Sequence, residues 1–223
     1  MRMNVFHQIH QALRALLYHV SITAQHTDFT QPEQTDKTVG LIREMVNFFE
    51  GHAHTEDSLV FPMIAAYAPE VVADFEKQHV TDHALGEEVK QSLEECSNAT
   101  SNESRIQAGI RVQRAINAFT AFNLTHMGKE ETEVLPLIHK YYSDEQLLEK
   151  EKEIVQSLSE EKKAFSGYWM LKGLAMHEII HWFQQIQAAA PSFVLDQYLQ
   201  LAERALSGDK FKKLQESLVV AIV

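Results

Sequence analysis

His52-Ala53-His54-Thr55-Glu56-Asp57-Ser58-Leu59-Val60-Phe61-Pro62 and His126-Met127-Gly128-Lys129-Glu130-Glu131-Thr132-Glu133-Val134-Leu135-Pro136 are two copies of one pattern. In each, a histidine is followed four residues later by glutamate, then by an acidic residue, and ten residues after the histidine by proline. Positions four apart on a helix share one face, one turn above the other. Each copy therefore presents an imidazole and a carboxylate side by side.

Apolar residues recur at three-and-four spacing on both sides of these copies, which is the signature of amphipathic helices. The pattern predicts a first helix from about Val5 to His26 and a loop over Thr27–Gln34 around Pro32. A second helix spans about Asp36 to Phe61, where Pro62 kinks it or opens a further turn, and Ala68-Pro69 closes it. A third runs from about Glu70 to Glu95. The polar stretch from Cys96 to Glu103 reads as a loop, and a fourth helix follows from Ser104 to Tyr142 with Pro136 inside it. Four long helices with short connections suggest an all-α, up-down-up-down four-helix bundle over residues 1–142.

Residues 143–223 read as a helical extension packed against that bundle. Ser143 and Gln146 form a capping box for a charged helix reaching about Lys163. An aromatic-rich helix spans Phe165–Ala190, Pro191 and Gly208 frame another, and a last one covers Asp209–Val223. The aromatic helix could cover one end of the bundle or form a homodimer face.

Composition narrows the function classes. With 223 residues, eight glycines and five prolines, the chain is long enough for a sizeable core and favours helices over turns. Its net charge of −11 offers no basic run for phosphates, which argues against nucleic acid or an anionic membrane as a partner. A single cysteine, Cys96, excludes an intramolecular disulfide framework and a thiolate cage. No signal peptide or membrane-length apolar run is read, so a reducing cytoplasm is the expected compartment.

The histidines number twelve, several on apolar helix faces. A lone histidine there is ordinarily a satisfied core residue, and a His/Glu pair at four spacing is ordinarily a solvated one. The two copies are joined, however, by His79-Val80-Thr81-Asp82-His83 on the third helix and by His10 on the first. Burying so many polar groups without partners costs several kcal/mol, and a metal pair removes the problem by taking imidazoles and carboxylates as ligands. Mixed imidazole and carboxylate suits non-haem iron, with manganese and zinc as second choices. Phe48, Phe49, Phe61, Phe119 and Phe122 are expected to pack around the centre and restrict water.

The pattern resembles the hemerythrin-like, HHE-type cation-binding domain. The matching features are His10-Gln11-Ala12-Leu13-Arg14 on the first helix, the doubled HxxxE-acidic motif ending in proline, and a histidine on the third helix. The resemblance covers about residues 4–142. It implies a carboxylate-bridged di-iron centre, with Glu56 and Glu130 as bridges. His10 and His52 would bind one iron, and His126 with His79, His83 or both would bind the other. The implied function is a di-iron protein that binds, senses or buffers oxygen, nitric oxide or iron. A di-iron oxidoreductase acting on peroxide or nitric oxide is the alternative, although no nucleophile or general base stands beside the cluster. The oxygen-carrying members space the last-helix motif more widely and bridge with aspartate, which separates this chain from simple oxygen carriage.

One further motif competes. His177-Glu178-Ile179-Ile180-His181 fits HExxH, the pattern of a zinc hydrolase with glutamate as general base. No third ligand is evident beyond Glu203, and no strand-built cleft is expected.

Overall fold

The structure is a computed structural model and describes residues 2–219. The described residues are helical, with no strand among them. The helix predicted over Asp209–Val223 is observed as Gly208–Val219, and residues 220–223 lie outside the described part. Among the described residues no helix is long and apolar enough to cross a membrane.

Contacts divide the chain into two compact units. One holds Met1–Phe6 with Leu16–Ile154, and the other holds His7–Ala15 with Val155–Val223.

In the first unit, α1 (His7–His26) contributes Leu16 to His26, with Leu16, Leu17, Val20 and Ala24 buried at three-and-four spacing. Helix α2 (Pro32–Thr55) starts with proline in its first turn, where the missing N–H costs nothing. It buries Ile42, Met45, Val46 and Phe49. Helix α3 (Pro69–Ser97) begins the same way. Ser101 caps α4 (Asn102–Lys129) by accepting from the Ser104 backbone N–H at 3.1 Å. Helices α3 and α4 run antiparallel, since His79 faces His126, Asp82 faces Asn123 and Gly86 faces Phe119.

The proline of each repeat reshapes the helix before it. The α2 helix gives way to a π-helical turn at Glu56–Val60 and a 3-10 turn at Phe61–Met63. The α4 helix gives way to a π-helical turn at Glu130–Val134 before α5 (Leu135–Tyr141). In both places the backbone bond skips to the fifth residue back, from Phe61 to Glu56 and from Leu135 to Glu130. Pro62 and Pro136 have no N–H, and an α-turn would drive their rings into the carbonyls of Ser58 and Thr132. Widening the turn relieves that clash. The helix expected over Ser104–Tyr142 with Pro136 inside it is therefore observed as α4, a π-helical turn and α5. Around these turns Phe6, Val60, Phe61, Ile64, Phe75, Val134, Leu135, Ile138 and Leu147 of α6 (Asp144–Ser157) pack into one apolar cluster.

The second unit joins the first half of α1 to α7 (Glu160–Gly173), α8 (Met176–Ala189), α9 (Ser192–Ala205) and α10 (Gly208–Val219). Its core is Leu171, Leu174, Ile179, Phe183, Leu201, Ala202, Ala205, Leu214 and Leu218. The single helix predicted over Phe165–Ala190 is two helices. Glu178 accepts the Ala175 backbone N–H at 2.8 Å and starts α8 afresh.

Candidate metal centre

Glu56 and Glu130 each open a π-helical turn, and π-turns inside helices recur at functional sites. Both carboxylates are buried, Glu56 at 2% exposure and Glu130 at 0%. One turn before each stands its repeat histidine. His52 Nε2 lies 3.1 Å from Glu56 Oε1, and His126 Nε2 lies 3.1 Å from Glu130 Oε1. The spacing of the repeat thus becomes two imidazole–carboxylate pairs, on α2 and on α4.

His79 of α3 ties the pairs together. Its Nε2 is 3.3 Å from Glu56 Oε2, 3.1 Å from His126 Nε2 and 4.0 Å from Glu130 Oε1. Glu56, His79, His126 and Glu130 each offer a ligand atom within 4.8 Å of the others, and all four are buried. Ligand atoms about 2.1 Å from one ion lie roughly 3 to 4 Å from one another, so the separations match a coordination shell. Glu56 also divides its oxygens, one toward His52 and one toward His79.

The outward ring nitrogens are held as well. His79 Nδ1 lies 2.8 Å from Asp57 Oδ1, and His126 Nδ1 lies 3.2 Å from Gln78 Oε1. A partner on Nδ1 fixes the tautomer and leaves Nε2 as the inward ligand atom. Burial opposes a charged His79, but the hydrogen bond and charge of Glu56, reinforced by Asp57, hold its pKa up at about 9. A cation bound here would replace that proton.

Aromatic rings wall the site. Phe61 stacks on His79 with centroids 5.3 Å apart, Phe122 stacks on His126 at 5.8 Å, and Phe75 tilts against His126 at 5.6 Å. Of the five phenylalanines expected around the centre, Phe49, Phe61 and Phe119 are buried, while Phe48 and Phe122 are half-buried. Phe75 was not foreseen, because nothing in its local spacing separates it from any other core residue.

The other candidates are placed as follows. His10 is fully buried on α1. His83 has a side chain 66% exposed, with Nδ1 3.6 Å from Glu50 Oε1. With Glu50 and Glu87 it forms a surface grouping in which Lys90 pairs with both glutamates. His54, expected to be solvated, is exposed. In the HExxH segment, His177 and His181 are exposed. Glu178 is taken up by the Ala175 N–H and by His7 Nε2, and none of the metal-competent groupings among the described residues includes this segment.

Sequence reasoning missed Asp57 and Gln78 as supports. The acidic residue after each motif glutamate was visible as part of the repeat, and that was the available signal for Asp57. It also missed Asp82, 5% exposed, and Asn123, 2% exposed. Asn123 Nδ2 donates to Asp82 Oδ1 at 2.6 Å. Burial pushes the Asp82 carboxyl up, against the pull of that hydrogen bond.

Comparison with known proteins agrees with the geometry. The family model described as the hemerythrin HHE cation binding domain matches residues 2–138, which includes both repeats and His79. Neither the curated proteins nor the solved structures contain a match to the chain. A match over more than half of the chain, across residues placed where they could hold a cation, is sufficient: the chain belongs to the hemerythrin HHE cation-binding family.

Proposed function

We propose that this chain is a non-haem di-iron protein that binds, senses or buffers oxygen, nitric oxide or iron. The observation that carries the reading is the divided Glu56 carboxylate, with Oε1 3.1 Å from His52 Nε2 and Oε2 3.3 Å from His79 Nε2. A carboxylate shared by imidazoles on two helices is suited to bridging two cations, and a single cation would not call for it.

Glu56 and Glu130 are the proposed bridges. His52 serves one iron, and His79 with His126 serves the other. The assignment takes His79 over His83 because the His79 side chain is 7% exposed and that of His83 is 66%. Imidazole with carboxylate selects iron ahead of manganese or zinc. When bound, such a pair supplies open coordination positions and one-electron chemistry for a diatomic ligand. The chain's own groups do the rest: Asp57 and Gln78 aim the imidazoles, and Phe61, Phe75 and Phe122 restrict water. Among the described residues no nucleophile or general base is recognised beside them, which favours binding or sensing over turnover, in a reducing cytoplasm.

The test is metal content per chain and the visible spectrum, on protein purified without chelator, for wild type and Glu56→Ala/Glu130→Ala. Close to two irons in wild type, lost in the double variant, is expected. A metal-free or single-zinc wild type, indifferent to the two glutamates, would sink the reading. Steady consumption of peroxide or nitric oxide would move the protein to the oxidoreductase class.

A further inference from the structure

Asp82 is a buried carboxylate for which the centre described so far has no use. Among the described residues its hydrogen bond comes from the neutral amide of Asn123, at 2.6 Å, and no lysine or arginine pairs with it. Asn123 spends its other amide hydrogen on the Phe119 carbonyl, at 3.1 Å, so its orientation is fixed. An amide offsets only part of the cost of burying a charge, which otherwise calls for a cation.

Position says which cation. Asp82 follows His79 by three residues on α3, and Asn123 precedes His126 by three on the antiparallel α4. The pair therefore sits about one helical turn, or roughly 5 Å, along the axis from the two imidazoles. Beyond it the interior is apolar: Phe119 meets Phe49 edge-on at 5.2 Å and lies against Gly86. The next charged group inward from His79 is thus Asp82. The HxxxH spacing had offered His83 as a ligand beside or in place of His79, but its side chain is 66% exposed and lies against Glu50.

Resting on the di-iron reading, we propose that Asp82, held by Asn123, is a positioning and charge-balancing residue of the metal centre, acting on the His79/His126 side without ligating. Its negative charge lies inside the low-dielectric wall, where it favours a multiply charged cation over an empty site. Asn123 keeps the carboxylate from swinging toward the ligands.

The experiment is competition of Fe(II), and separately Zn(II), against a chelator on the full chain, alongside the Tm of the metal-free protein. Wild type is compared with Asp82→Asn, Asp82→Ser and Asp82→Glu. Outer residues of this kind change metal affinity by about 10–100-fold. Asp82→Asn and Asp82→Ser should both lose at least tenfold in affinity, and Asp82→Glu should recover most of it. The metal-free Asp82→Asn protein should be as stable as wild type or more so, because a buried charge is gone. Metal affinity within twofold of wild type in either neutral variant overturns the inference, whatever happens to Tm. If Asp82→Asn fails to fold, Asp82→Ser carries the same comparison. A wild type that takes up neither metal overturns the di-iron reading itself and this inference with it, which separates the two failures.

Discussion

Asp57 Oδ1 lies 2.8 Å from His79 Nδ1, while the neighbouring Glu56 places Oε2 3.3 Å from His79 Nε2. Two consecutive residues thus grip opposite nitrogens of one imidazole on another helix. Glu56 is buried and Asp57 is 42% exposed, so the pair reaches from the centre to solvent. The first repeat therefore supplies a ligand candidate and also the clamp that orients the His79 ring.

Removing the clamp should loosen the metal without unfolding the chain. Asp57→Ala is expected to lower metal affinity about 10–100-fold, the usual effect of losing a carboxylate behind a ligating imidazole. The loss also leaves the buried His79 Nδ1 without its acceptor, so the metal-free protein should lose about 1–3 kcal/mol and a few degrees of Tm while keeping its fold. Chelator competition together with a thermal melt checks both. Unchanged retention would mean that Phe61, stacked on the same ring, orients it alone.

The prolines should trade stability for the site. In Pro62→Ala the regained N–H can bond to Ser58, and the π-helical turn can relax toward an α-turn. The metal-free chain is expected to gain on the order of 1 kcal/mol. Glu56 would then rotate out of register, with a loss of at least about tenfold in metal affinity. Pro136→Ala should do the same to Glu130. Circular dichroism melts and metal titration read the two effects separately. A variant that binds metal fully would show that packing, not proline, holds the turn.

What was legible in the sequence follows from what repeats. His52/Glu56 and His126/Glu130 were readable because four-residue spacing and the doubled motif survive any uncertainty in helix ends. The π-turns were not, because a proline in a helical pattern signals only that the backbone bond is lost, not how the chain recovers. His79 against His83 was undecidable in the sequence: both fit four-residue spacing, and only the rotation of α3 in the packed bundle buries one. Asp82 and Asn123 lie 41 residues apart and meet only through α3–α4 packing. The break at Leu174 inside an apolar run depends on the Glu178 cap, whose three-residue spacing was masked by its fit to HExxH.

Glu151 on α6 gives a pH effect remote from the centre. Burial raises its carboxyl pKa above the ordinary 4.5. The folded state therefore holds the proton more tightly than the unfolded chain. The stability this contributes is fully present below the ordinary value and is lost as pH rises through the raised one. Glu151→Gln removes the ionisation. Its Tm should exceed that of wild type at pH 8, and the difference should shrink to nothing near pH 4. Equal curves at both ends would mean that the carboxylate is well solvated.

Gly173 ends α7 directly against the backbone carbonyl of Gln11, and a Cβ built there would collide with that oxygen and its carbon. Its φ is not positive, so alanine would suit the local conformation and reduce the freedom of the unfolded chain, a gain of about 0.4–1 kcal/mol. The collision outweighs that gain, because the opposing atoms are backbone in the middle of α1 and cannot swing aside as a side-chain tip would. Gly173→Ala is accordingly expected to destabilise the chain by about 1–3 kcal/mol, a drop in Tm of roughly 2–12 °C for a protein of this size. Gly40→Ala is the control, since nothing lies within 4 Å of a Cβ added there. A calorimetric melt of both variants decides the point: a Gly173→Ala protein as stable as Gly40→Ala would mean that α1 and α7 separate freely to admit a methyl group.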